Sequence, residues 1–175
     1  LFFAALPGSE VRRQLESVAD TLRLPADARR VSPESYHMTI AFAGEVSLAQ
    51  AAALRAVGAG GCRAAFEIYF ASCEYWVKSQ VVVAAASDCP AHLLDLHHTL
   101  RAEFERLGLG PDALSFRPHV TLARKVAQAP VLKAMSPCSW RVQALHLMHS
   151  SGSAAGPVYT VVDTWPLLDN ASRSE

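Results

Sequence analysis

Residues 36–42 read YHMTIAF, and 82 positions further on residues 118–124 read PHVTLAR. Both hold His, apolar, Thr, apolar, Ala. Successive side chains of a strand point to opposite faces, so simple alternation sorts each stretch. Tyr36, Met38, Ile40 and Phe42 fall on a core face, and His37, Thr39 and Ala41 fall on the other. In the second copy Val120 and Leu122 face the core, and Arg124 with them, while His119, Thr121 and Ala123 face away. Each strand therefore offers an imidazole and a hydroxyl on one face, roughly 7 Å apart. With 7 histidines and 6 threonines in 175 residues, about a quarter of one His-x-Thr match is expected by chance. Either strand alone reads as an ordinary half-buried strand. The pair, with shared apolar context, reads as two halves of one site.

The chain around these strands predicts an α+β fold with largely antiparallel sheets. LFFAAL is an apolar strand closed by Pro7-Gly8. Ser9 is placed as a helix cap, with Val11, Leu15, Val18, Ala19 and Leu22 following at helical spacing. Residues 26–35 read as a loop. Ser47 and Gln50 form a capping box for a helix that Gly58, Gly60 and Gly61 end. Residues 65–73 and 76–86 are two strands. A helix begins near Ala91, with Leu93, Leu96, Leu100, Phe104 and Leu107 on one face and Gly108 as its stop. A short helix is allowed for after the second motif. WRVQALHLMHSS and VYTVVDTWPL are two final strands, joined by the small residues of SSGSAAG, which read as a flexible loop near the cleft. The halves 1–75 and 76–175 each carry one His-x-Thr strand, a weak internal duplication. They interleave too closely for separate domains, so residues 1–175 are expected to form one domain with two lobes.

Composition narrows the function classes. Lys plus Arg and Asp plus Glu are 16 each, a balance unsuited to coating long nucleic acid but compatible with binding one phosphate or one RNA end. No run of 18 apolar residues predicts a membrane span, and the apolar start lacks the features of a signal peptide. Cys62, Cys73, Cys89 and Cys138 show no zinc spacing and read as reduced, cytosolic thiols.

Two imidazoles with ordinary pKa values near 6.5 can serve as base and acid together at neutral pH. Two hydroxyls can donate to the non-bridging oxygens of a phosphate. In-line phosphoryl transfer needs a base on the attacking side and an acid on the leaving side. A metal is the rival use of a histidine pair. Near the motifs only Glu34 and Glu45 offer carboxylates, both at loop edges, so no metal and no other cofactor is expected.

These motifs, with LFFAAL, YHMTIAFAGEV, FRPHVTLARK and YTVVDTWPL, resemble the two-histidine (2H) phosphoesterase superfamily over nearly the whole chain. The bacterial and archaeal RNA 2′,3′-cyclic phosphodiesterases, also called 2′-5′ RNA ligases, are the branch they are most similar to. The resemblance implies a bilobal, pseudo-twofold fold around a central cleft and no metal. It implies that His37 is the proton donor to the leaving 3′ oxygen and His119 the proton acceptor from water. Thr39 and Thr121 would hold the phosphate, with Arg124 as a further phosphate ligand if its strand bulges. The implied substrates are RNA 3′ ends or nucleoside 2′,3′-cyclic phosphates, the implied product a 2′-phosphate, and reversal with an RNA 5′-hydroxyl gives a 2′-5′ bond. A monomer is the default. The competing readings are a phosphodiesterase of 2′-5′ oligonucleotides or another small cyclic nucleotide, and a non-catalytic RNA-end-binding protein. Met38, Ile40 and Ala43 depart modestly from the family pattern, away from the reactive groups.

Lesser signals remain. Tyr36 and Phe42 read as core, with base stacking as the alternative role for Phe42, and Trp76 is the other candidate for stacking a base. Arg117, Arg124 and Lys125 bracket the second motif and would make it locally basic. His97 and His98, mid-helix, read as packed or surface imidazoles. His146 and His149 fall on opposite faces of a strand, and the glycines at 58–61 read as a turn.

Overall fold

The computed structural model describes residues 1–60, 64–110, 116–153 and 156–169. The elements run β1 (Phe2–Ala5), α1 (Ser9–Asp20), β2 (Arg29–Arg30), a 3-10 turn (Pro33–Ser35), β3 (Met38–Phe42), α2 (Leu48–Ala59), β4 (Phe66–Trp76), β5 (Val81–Ala86), α3 (Ala91–Arg106), β6 (His119–Arg124), β7 (Cys138–Val142), β8 (Ala144–Ser153) and β9 (Gly156–Pro166). The strands form two sheets, in the orders β3-β1-β8-β9 and β2-β6-β5-β4-β7. Their paired strands are antiparallel throughout. The α+β reading holds. The sheets do not follow the sequence halves, because the first sheet takes β1 and β3 from one half and β8 and β9 from the other.

The helices are held by the stripes their sequences predict. Leu15 and Ala19 of α1, and Leu93, Leu96, Leu100 and Phe104 of α3, are buried in one core with Phe3, Ile68, Phe70 and Leu122. Each fully buried Leu or Phe there contributes about 1.5–3 kcal/mol. The Ser47–Gln50 capping box is present in both directions. Gly8 rather than Ser9 is the N-cap of α1, because the extended Pro7-Gly8 turn brings the helix in one residue earlier.

Other expectations shift. Gly58 lies inside α2, not in a turn: the Trp165 ring occupies the space its side chain would need, with a Cβ falling 2.3 Å from the ring, and Gly60 is the C-cap. Cys62 and Gly61 lie outside the described residues, as does part of SSGSAAG, although β8 and β9 extend to Ser153 and from Gly156 and so take in much of that loop. WRVQALHLMHSS is two strands: Gln143 alone separates β7 from β8, which lie in different sheets. Residues 125–137 contain no helix, and residues 29–30 of the expected loop pair with β6 as a short edge strand. The strand expected to begin at residue 76 starts at Val81, since β4 runs through Trp76.

What this arrangement does for the two motif strands is simple. β3 is the outer strand of the first sheet and β6 lies next to the edge of the second. They pack against each other where the sheets meet.

Candidate active site

Both motif strands break the alternation rule at the same place. β1 pairs Phe3 with Ala41 and Ala4 with Thr39, so Ile40 is an extra residue in β3. β5 pairs Val82 with Ala123 and Val83 with Thr121, so Leu122 is the extra residue in β6. A bulge of this kind reverses which face the following residues take. Ile40 and Ala41 are both buried, as are Leu122 and Ala123. The next residue in each strand then turns to the His/Thr side. Phe42 is consequently 52% exposed rather than core, and its ring lies 6.2 Å from that of Phe2, which itself packs on His37 at 5.3 Å. Arg124 leaves the core face in the same way and donates to the Tyr159 hydroxyl at 3.3 Å. The core assignments of Phe42 and Arg124 are therefore overturned, by one bulge each. Tyr36, Met38, Ile40, Val120 and Leu122 are buried as expected, and burial pushes the Tyr36 phenol up to about 12.

The two imidazoles are oriented alike. His37 Nδ1–H donates to the carbonyl of Ser35 at 2.7 Å, and His119 Nδ1–H donates to that of Arg117 at 2.8 Å. A carbonyl can only accept, so each Nδ1 carries the proton and each Nε2 is left free for chemistry. His37 is walled by Phe2 and by Tyr159, whose ring meets it edge-on at 4.5 Å. His119 is walled by Trp76 at 4.5 Å. Trp76 is fixed in turn: its Nε1–H donates to Glu74, Glu74 pairs with Arg117 at 2.5 Å, and the Arg117 guanidinium sits 5.5 Å from the indole. Arg117, one of the cations expected to bracket the motif, is thus ion-paired with Glu74.

Electrostatics treat the pair as one unit. Desolvation by burial is the main cause that lowers the pKa of both histidines, the backbone hydrogen bonds oppose it, and the positive charge of Arg124 lowers both further. The charge of His119 also counts against His37, and that of Arg117 against His119. The Arg124 guanidinium therefore lies within electrostatic reach of both rings, and the His119 ring within reach of His37. Thr39 and Thr121 are half-buried on the same faces of their strands as these histidines. Such a cluster can bind an anion at Arg124 and the hydroxyls while exchanging protons at two Nε2 atoms.

Other candidates separate from this cluster. Among the described residues no three His, Cys, Asp or Glu side chains converge as a metal site would require. Of its two readings, packed or surface, His97 takes the packed one: its Nδ1–H donates to the carbonyl of the bulged Ile40 at 2.7 Å, and its ring stacks on Phe116 at 4.1 Å. His146 bonds Thr164 at 2.9 Å, across the β8–β9 ladder. Tyr159 and Phe2 were not marked by the sequence. Only the strand order β3-β1-β8-β9 brings Tyr159 to His37.

Comparison with known proteins identifies the family and agrees with the fold. Residues 7–154 match the 2′-5′ RNA ligase superfamily. The chain is 30% identical over 186 residues to an RNA 2′,3′-cyclic phosphodiesterase of Thermus thermophilus, covering 100% of this chain and 93% of that one. It is 29% identical over 168 residues to the protein of the same name from Escherichia coli, covering 95% and 96%. The crystal structure of E. coli LigT complexed with 3′-AMP superposes with a TM-score of 0.88 at 28% identity, covering 95% and 96%.

Proposed function

Because the chain belongs to the 2′-5′ RNA ligase superfamily, of the two-histidine phosphoesterases, we propose that it hydrolyses RNA-terminal or nucleoside 2′,3′-cyclic phosphates to 2′-phosphates. The observation that carries this is the matched pair of imidazoles. Each is held with Nδ1–H on the carbonyl two residues before it, just ahead of the strand, which leaves both Nε2 atoms to serve one anion site. Relatives named RNA 2′,3′-cyclic phosphodiesterase over nearly their full length support the substrate class.

The reaction follows from these parts. Arg124, Thr39 and Thr121 hold the non-bridging oxygens of the cyclic phosphate. Neutral His119 takes a proton from water at Nε2 as the water oxygen bonds to phosphorus. The bond from phosphorus to O3′ breaks, and protonated His37 gives its Nε2 proton to O3′. The product is a 2′-phosphate with a free 3′-hydroxyl, and the histidines have exchanged protonation states. Solvent exchange resets them. No metal is used. With an RNA 5′-hydroxyl attacking phosphorus in place of water, the same steps form a 2′-5′ linkage. The two sheets act as lobes of one domain, working as a monomer on RNA 3′ ends. The free thiols Cys73, Cys89 and Cys138 suit a reducing, cytoplasmic setting, and no described helix is long and apolar enough to cross a membrane.

The test is turnover of a nucleoside 2′,3′-cyclic phosphate in EDTA, with the product identified. A 2′-phosphate is expected at an undiminished rate. Loss of turnover in EDTA defeats the metal-free mechanism, and a 3′-phosphate reverses the leaving oxygen. Tight binding without turnover makes the protein an RNA-end binder.

A further inference from the structure

Beside the histidine site lies a cavity of 330 Å³ that none of His37, His119, Thr39 or Thr121 lines. Arg29, Arg30, Arg124, Lys125, Ser32 and Tyr159 are in its wall, and among the described residues no carboxylate is. Its volume is within the range of small-molecule sites. Two observations give it chemistry. First, β2 pairs Arg29 directly with Arg124 across the ladder, and both line the cavity. The ladder thus brings two guanidinium side chains to one wall of the cavity, where an anion can be shared between them. Second, the positions are fixed. Arg30 donates to the Leu22 carbonyl at 2.8 Å, and Lys125, at φ +57°, holds the left-handed conformation that a lysine seldom takes. That conformation ends β6 just after Arg124 and keeps Lys125 at the cavity wall.

We propose that this cavity is a second phosphate subsite, which takes an internal phosphodiester of an RNA strand whose cyclic end lies between the histidines. Arg124 and Tyr159 belong to both sites: Arg124 acts on both imidazoles and Tyr159 packs on His37. A strand leaving the reactive phosphate therefore finds a second cluster of cations across a shared wall. The inference rests on the hydrolase reading for its geometry and narrows the substrate class from mononucleotides to oligoribonucleotides.

Binding and turnover test it separately. A fluorescent five-nucleotide RNA ending in a 2′-phosphate is titrated at several salt concentrations, with a nucleoside 2′-monophosphate as competitor. Arg29→Gln/Lys125→Gln is expected to weaken RNA binding about tenfold or more relative to the mononucleotide. It should also flatten the slope of log K against log salt by about 0.7 for each lost phosphate contact. Lys125→Gln alone, at an exposed position, should give part of both effects and guards against a folding artefact in the double variant. Equal losses for RNA and mononucleotide, or an unchanged slope, overturn the subsite. Wild-type protein that binds this RNA with the full slope but hydrolyses neither an RNA-terminal nor a nucleoside 2′,3′-cyclic phosphate overturns the hydrolase reading and leaves the subsite standing.

Discussion

β3 and β6 carry the same parts and are supported differently. Each has a histidine bonded to the carbonyl two residues before it, a threonine two residues after it, and a bulge directly after the threonine. Each bulge swings one residue to the reactive side. In β3 that residue is Phe42 and in β6 it is Arg124. The bulged carbonyls also find different partners: Leu122 accepts from the backbone N–H of Val31 at 2.9 Å, while Ile40 accepts from the His97 side chain. The shared geometry delivers two equivalent Nε2 atoms. The differences then assign the work, since a pseudo-symmetric pair of histidines is chemically useful only when something makes the two sides unequal.

Removing either imidazole tests the shared part and should have the largest effect. His37→Ala and His119→Ala are each expected to lower kcat/KM by about 10²–10⁴-fold. An activated aryl phosphodiester separates their roles. Its leaving group needs no proton, so the His37→Ala deficit should shrink markedly on it and the His119→Ala deficit should not. The opposite pattern exchanges acid and base.

The bulge residues come next. Arg124 touches the charge balance of both histidines, and Phe42 touches neither charge. Arg124→Gln should reduce kcat/KM by about tenfold or more, given about 1.5–3 kcal/mol for a hydrogen bond to a charged group, and Thr39→Ala and Thr121→Ala should fall in or below that range. Phe42→Ala should alter KM by less than about tenfold with kcat nearly unchanged. If Phe42→Ala matches Arg124→Gln, the asymmetry lies elsewhere.

The pH dependence sharpens the same contrast. Burial and Arg124 hold both histidines below the ordinary imidazole value of about 6.5, so the bell of kcat/KM should centre on the acid side of it. Arg124→Gln should move both limbs to higher pH, because kcat/KM reports the free enzyme. Stability follows the same sign. A histidine kept neutral by the fold binds fewer protons than it does unfolded, so stability is full above about 6.5 and declines as pH falls toward the folded values. Thermal melts from pH 8 to pH 5 should show that decline, and His37→Phe should lessen it.

Much of this was legible in the residues, and the part that was not has a physical cause. The repeated His-x-Thr, the helix stripes and the Ser47 capping box are local patterns, and they appear where periodicity puts them. A bulge is a relation between two strands: nothing in YHMTIAF says that Phe3 and Ala4 will straddle Ile40, so alternation carried Phe42 and Arg124 to the wrong face. WRVQALHLMHSS failed for a related reason, because only the sheet assignment shows that Gln143 is a crossing point. Tyr159 needed the strand order, and the Arg29–Arg124 opposition needed a two-residue edge strand too short to show periodicity.

His97 marks the smallest difference between the two strands, and it divides structure from function most finely. Its partner Ile40 is 57 residues away, and the bond closes a carbonyl that the bulge has turned toward α3. In β6 the same duty falls to backbone, which no side-chain substitution can remove. His97→Ala should therefore loosen β3 alone. Leaving a buried carbonyl without its donor costs about 1–3 kcal/mol, to be read as a lower Tm. If the bond only stabilises the fold, kcat at a temperature well below Tm should be unchanged. If it also sets the angle at which β3 presents His37 and Thr39, kcat should fall about threefold to tenfold while the acid limb of the pH profile, governed by burial and Arg124, stays in place. His97→Asn, which keeps a donor on a shorter arm, should recover part of the loss. An unchanged Tm together with an unchanged kcat in His97→Ala would show that the β3 bulge, like that of β6, is held by backbone alone.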